Sequence, residues 1–261
     1  MRPFSLLLLL FLLPFQSIAQ QINPLNSNYL KSYYTDCRDL ILSPVNWETD
    51  HWVTFTVTGL SIIGLSSFDG PINSNRSILK KWDTSFLSQT QNWGNGLYSL
   101  PALGLLYGYG WLNRMPKYQY AALDATKAFI LSRALVQVPK FLFQRVRPSD
   151  FDSNPFLFLG PLGNGANRSF PSGHTTSIFA SVSVLNYYFD GRSFKIISYS
   201  LAGLVGLQRI ASGEHWFTDV VVGAAFGMYC GRFLVTNKPI QKNLTFYPYF
   251  GQSGLGILVR L

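Results

Sequence analysis

The sequence predicts an all-α domain built as a six-helix bundle, with a short β-hairpin appended at its C-terminal end. Three observations predict it. Six apolar stretches, near residues 52–68, 97–112, 121–143, 174–189, 196–207 and 220–235, are set apart by clusters of Gly, Pro, Asn and Asp, as in helix–loop–helix chains. Hydrophobic residues make up 48% of the chain and charged residues only 13%, a balance that points to a membrane or envelope protein. After Lys242 the texture changes to an aromatic run, Leu244 to Phe250, and an apolar run, Leu255 to Leu261, around Gly251-Gln-Ser-Gly254. Two such runs about a glycine-bearing turn predict a hairpin, and Pro248 places its strand at an edge.

Taken in order, residues 1–19 read as a secretory signal. Arg2 is the basic start, residues 6–13 are the apolar core, and Ser17-Ile18-Ala19 offers the small residues of a cleavage site. An uncleaved anchor helix is the alternative. Residues 20–50 are polar with turn formers and read as an extended or lightly helical lead-in. Residues 51–236 form the helical domain, with His51 as a helix-start residue. Its loop at residues 69–95 is polar, carries Arg76, Lys80, Lys81 and Asp83, and has room for a short amphipathic helix. The loop at residues 149–169, rich in Gly, Asn and Pro, is expected to overhang the functional site. Residues 237–261 are the hairpin tail. Cys37 and Cys230 are either a disulfide of an exported protein or two unlinked thiols.

Three segments carry chemistry. In Pro171-Ser-Gly-His174, a proline, a small hydroxyl and a glycine stop one element, and Ser172 is a good N-cap for the apolar run that follows. Such a turn leaves helix N–H groups unpaired, and these favour an anion. His174 stands there as a proton donor or acceptor. Upstream, Lys140 and Arg147 are seven residues apart and so share one helical face, with Pro148 stopping the helix. Downstream, His215 and Asp219 are four apart, so on a helix the carboxylate reaches the imidazole. Arg209 precedes them. Three cations, two histidines, an acid and a helix N-terminus suit a phosphate or similar oxyanion.

The motifs K-x6-RP, PSGH and R-x5-H-x3-D, in this order from Lys140 to Asp219, resemble those of the type-2 phosphatidic acid phosphatase and vanadium haloperoxidase superfamily. The family usually has serine before the arginine of the third motif. Here it is Gln208, which can still donate a hydrogen bond. The resemblance implies a six-helix core in which the first motif ends the third helix and the second opens the fourth. It also implies a phosphatase that needs no metal or other cofactor and works through a phosphohistidine. His215 is then the nucleophile. Asp219 holds the imidazole's other proton, and His174 protonates the leaving oxygen and later activates water. Lys140, Arg147 and Arg209 bind the phosphate oxygens together with N–H groups around Ser172 and Gly173. Glu214, next to the nucleophile, points elsewhere on a helix and receives no role. A vanadium-dependent haloperoxidase and a non-catalytic phosphate-binding envelope protein are the two other readings.

A formal charge of +9 suits anionic lipid surfaces or phosphorylated substrates. The cations are scattered and no nucleic-acid-binding motif appears, so nucleic acid is not an expected partner. The expected substrate is a phosphorylated lipid or a small phosphomonoester, with membrane association. Arg114 with Lys117, and Arg192 with Lys195, mark the side away from the site as cytoplasmic by the positive-inside rule. The site then faces the periplasm. The expected location is the periplasm or cell envelope after signal cleavage, with integral membrane insertion as the second reading.

Overall fold

The computed structural model describes residues 24–81, 85–150, 154–163, 168–237, 244–248 and 255–259. The signal reading of residues 1–19 lies outside them. The described chain is helical. Its helices are α1 (Ser27–Leu42), α2 (Thr49–Leu65), α3 (Asp69–Ser74), α4 (Arg76–Lys81), α5 (Ser85–Asn95), α6 (Ser99–Leu112), α7 (Pro116–Leu135), α8 (Gln137–Phe143), α9 (Gly173–Tyr188), α10 (Arg192–Ala211) and α11 (Phe217–Thr236). Strands β1 (Leu244–Pro248) and β2 (Leu255–Val259) pair antiparallel, Leu244 opposite Val259. The connecting residues 249–254 lie outside the described residues.

Each of the six apolar stretches falls on helix, but the described residues form more helices than the six expected. The stretch at 52–68 becomes α2, which buries none of its residues. The polar stretch at 69–95 instead folds into α3, α4 and α5, and α5 packs against α9 and α10. The lead-in also differs from expectation. Asn26 accepts the backbone N–H of Tyr29 at 3.0 Å and so caps the regular helix α1. His51 does stand at a helix start, where its Nδ1 accepts the N–H of Glu48.

α9 is the central helix. One side of it, Ala180 and Val184, joins Ala125, Ala128 and Leu131 of α7 and Cys230, Leu234 and Val235 of α11. The other side, Ile178 and Val182, joins Ala202 and Val205 of α10. A helix with partners all round must be apolar or small all round. Its buried hydroxyls are therefore all spoken for: Ser177 donates to Gly94 O at 2.7 Å and Ser181 to Ala125 O at 3.0 Å. α11 meets α9 through glycines. A Cβ on Gly227 would lie 2.3 Å from Thr176 O, and one on Gly231 2.3 Å from Ala180 O. Only glycine permits this backbone-to-backbone approach, which sets the spacing of the two helices that frame the site.

The first-motif helix ends early. Pro139 lacks an N–H and its ring crowds the carbonyl four residues back, where the chain breaks between α7 and α8. α8 then stops at Gln144, which adopts a left-handed φ of 41°. Arg147 is thus beyond the helix, and the shared-face argument for Lys140 and Arg147 does not hold. Both cysteines are free, with Cys230 buried in the core and Cys37 packed against it.

Candidate active site

The site is assembled where α8, the start of α9, the end of α10 and the start of α11 converge. α9 begins at Gly173 with Ser172 in the N-cap position. The Ser172 side chain does not cap. Its hydroxyl accepts from Thr175 Oγ1 at 2.9 Å, and its N–H is spent on Asp219 O at 2.9 Å. With no side-chain cap, the first N–H groups of α9 remain available to an incoming anion.

His215 is not on a helix. It precedes α11, whose N-cap is Trp216, and Asp219 is the third helical residue. The Asp219 carboxylate reaches back to accept the Trp216 N–H at 2.9 Å, a capping contact that turns Oδ2 toward His215. His215 Nδ1 lies 3.6 Å from that oxygen, within ion-pair reach but longer than a hydrogen bond. His215 is 4% exposed, and burial pushes its pKa down to about 4 against the pull of Asp219. That shift favours the neutral ring at pH 7.

Asp219 is held from several sides. Arg145 Nη1 donates to Oδ1 at 2.6 Å, and the Ser169 hydroxyl donates to Oδ2. Burial raises the pKa of this carboxyl, but His215, Arg145 and Ser169 together hold it below the usual carboxylate range. Arg145 also donates to Asp69 Oδ2 at 2.7 Å and to the Pro155 carbonyl. Asp69 in turn accepts the Thr218 N–H at 2.9 Å. α3 is thereby tied to the first turn of α11. Neither Arg145 nor Asp69 was singled out from the sequence. Arg145 lies inside the first motif, but a face argument for a helix that ends at Phe143 gave it no place.

The cations surround the turn before α9. Lys140 Nζ donates to Arg168 O at 2.6 Å, which ties the last residues of the 149–169 loop to this cation. Burial lowers its pKa to about 8, with Asp219 pulling up and Arg147, Arg133 and Arg209 pushing down. Arg209, in the last turn of α10, is 7% exposed, and burial lowers its pKa. Its Nη1 lies 3.4 Å from Gln208 Oε1, so this glutamine faces the arginine with its acceptor. Arg133 of α7 is a cation that sequence reasoning missed. A Cβ on Gly173 would lie 3.5 Å from Arg133 Nη1 and 3.6 Å from Lys140 Cε. Arg133 donates to Gly94 O at 3.5 Å and has no carboxylate partner among the described residues. His174, half-buried beside these groups, has its pKa lowered to about 3, first by burial and then by Arg209, Arg133, His215 and Lys140.

Glu214 departs most from expectation. Gly213 takes a positive φ of 73°, and the turn carries Glu214 inward. Its Oε2 pairs with Arg147 Nη1 and lies 3.3 Å from Arg209 Nη2. Among the described residues, no group of three or more His, Cys, Asp or Glu side chains comes together to hold a metal ion.

Residues 121–241 match the family model described as the PAP2 superfamily. The lipid A 1-phosphatase of Porphyromonas gingivalis is 29% identical over 127 residues, 48% of this chain but 25% of that protein's length. The lipid A 1-phosphatase of Rhizobium etli is 27% identical over 199 residues, 71% of this chain and 82% of that one. The bacitracin transport permease protein BcrC of Bacillus licheniformis is 30% identical over 150 residues, 56% of this chain and 70% of that one.

Proposed function

The chain belongs to the PAP2 superfamily, and from that premise we propose that it hydrolyses a phosphate ester of a lipid without a metal, through a phosphohistidine. The observation that carries the reading is the convergence of Lys140, Arg147, Arg209 and Arg133 with two neutral histidines on the uncapped start of α9. Such a site offers positioned positive charge to a phosphoryl group, which is where phosphoryl transfer gains most.

In this reading His215 attacks phosphorus through Nε2, because Nδ1 faces Asp219. The bond from phosphorus to the ester oxygen breaks, and that oxygen takes a proton from His174. A water then gives its proton to His174 and attacks the phosphohistidine, which releases phosphate and restores His215. Burial first, and then the surrounding cations, lower the pKa of His174, and a bound phosphoryl dianion works in the opposite direction and favours its protonated form.

The lipid substrate is argued from the surface. Val138, Phe141, Leu142 and Phe143 of α8 are exposed beside buried Lys140, and Phe156 and Leu162 of the following loop are exposed too. α2 adds exposed Trp52, Val53, Phe55, Val57, Leu60 and Ile63. A patch on this scale suits a bilayer. Among the described residues α11 is the one helix long and apolar enough to cross a membrane. We place the protein at the envelope membrane, with the site on its periplasmic side.

A phosphate-release panel tests this: phosphatidic acid, phosphatidylglycerol phosphate, lipid A and an isoprenyl diphosphate, each with chelator and with vanadate. Release that survives chelation and stops with vanadate supports it. Vanadate-dependent bromide oxidation would establish a haloperoxidase, and phosphate binding without turnover a binding protein. Acid quench separates the two histidines: His174→Ala should accumulate phosphoenzyme and His215→Ala none.

A further inference from the structure

Arg147 and Arg209 reach the site from different elements, yet one carboxylate oxygen holds both. Glu214 Oε2 pairs with Arg147 Nη1 and lies 3.3 Å from Arg209 Nη2. The Nε atoms of both arginines are buried without a partner, so each guanidinium has donors left over. Backbone bonds fix the segment that carries Glu214. His215 N donates to Arg209 O at 3.2 Å, and Ser149 N donates to Gly213 O at 3.1 Å. The backbone on both sides of Glu214 is thereby fixed, and its carboxylate, one-third exposed, meets both arginines beside His215 in the chain. A guanidinium pair set to hold a carboxylate is also set to hold a phosphoryl group, because both present charged oxygens at similar spacing.

Resting on the phosphatase reading, we propose that Glu214 is an exchange ligand: it pairs with Arg147 and Arg209 before substrate binds, yields them to the entering phosphoryl group, and retakes them to expel inorganic phosphate. A bound phosphoryl dianion offers these arginines more charge and more acceptor oxygens than one carboxylate, so it wins while tethered by the rest of the substrate. Free phosphate has no such tether. It competes with a carboxylate that the chain tethers beside the arginines and whose charge repels it. Glu214 thereby weakens product binding and speeds release, at some cost in substrate affinity.

The test measures inhibition by inorganic phosphate and by vanadate, with KM and kcat, for the wild type, Glu214→Gln and Glu214→Ala. Thermal shift with phosphate is read on each protein independently of turnover. Glu214 is one-third exposed, so neither change should endanger folding. In both variants the inhibition constants should fall about tenfold, the thermal shift should grow, KM should fall and kcat should fall with it. Inhibition constants that stay the same or rise would show that Glu214 merely braces the arginines, and would overturn the proposal. If the wild type neither releases phosphate from any ester nor is stabilised by it, the phosphatase reading fails as well. If the wild type turns over normally and only the variants' constants fail to move, the exchange role alone falls.

Discussion

Arg145 Nη1 lies 2.6 Å from Asp219 Oδ1, and both side chains are withdrawn from solvent, the arginine 2% exposed and the carboxylate 0%. The same guanidinium lies 2.7 Å from Asp69. One buried cation thus serves two buried carboxylates, and Thr218, Ser169 and Trp216 supply the remaining donors. A cluster of this kind is tolerated because its members are satisfied, and it fails when one is removed.

Replacement of Arg145 should show that failure. Arg145→Gln strands two buried carboxylates and is expected to cost about 3–5 kcal/mol of stability. Arg145→Lys keeps the charge without the planar fork and should fall between. Urea unfolding at pH 7.5 measures both. An unchanged midpoint for Arg145→Gln would show that the cluster does not stabilise the fold.

Lys140 should set the alkaline limit of catalysis. Its pKa is lowered to about 8, so below that pH the ammonium is present to bind phosphate, and above it the charge is lost. In the free enzyme kcat/KM should therefore decline as pH rises through about 8. Lys140→Arg, which stays charged, should move that decline to higher pH while lowering the plateau. A wild-type profile that is flat from pH 7 to 10 would contradict the assignment.

The α9–α11 contact makes a sharper steric prediction. Gly227→Ala would press a methyl to 2.3 Å from Thr176 O, a backbone atom that cannot step aside. The helices must separate, at a cost of about 1–3 kcal/mol. Gly203, which has nothing within 4 Å, is the control, and Gly203→Ala should be neutral or slightly stabilising. Thermal melts of the two variants decide it.

These residues also show what a sequence can and cannot reveal. His174, His215, Asp219, Lys140, Arg147 and Arg209 were legible because their chemistry is rare in an apolar chain and their spacing repeats a known set of motifs. Glu214 was misplaced because His215 was read as helical. The chain is instead turning at Gly213, and a turn reverses which side chain points inward. Arg145 was invisible for a related reason: α8 ends at Phe143 and no helical face extends to it. Residues 69–95 read as a polar loop with room for one short amphipathic helix, and α5's extent was not legible because its polar side chains meet distant partners, such as Gln91 with Arg209, that no local pattern announces. Conversely, the stretch that becomes α2 counted among the six helix stretches from its apolar content, yet it buries none of its residues, because burial is a property of neighbours rather than of composition.

The tie from α3 to α11 has a consequence for what can be inherited or transplanted. The family-matching segment begins at residue 121, yet Asp69, Gln91 and Gly94 lie well before it. Through Arg145, Arg209 and Arg133 these three residues brace the carboxylate and the cations. A chimera that moved only the matching segment into another member would carry His215 and Asp219 and leave their bracing behind. The recognisable signature and the mechanically complete unit have different borders in this chain, and the hydrophilic stretch between α2 and α6 belongs to the second without resembling the first.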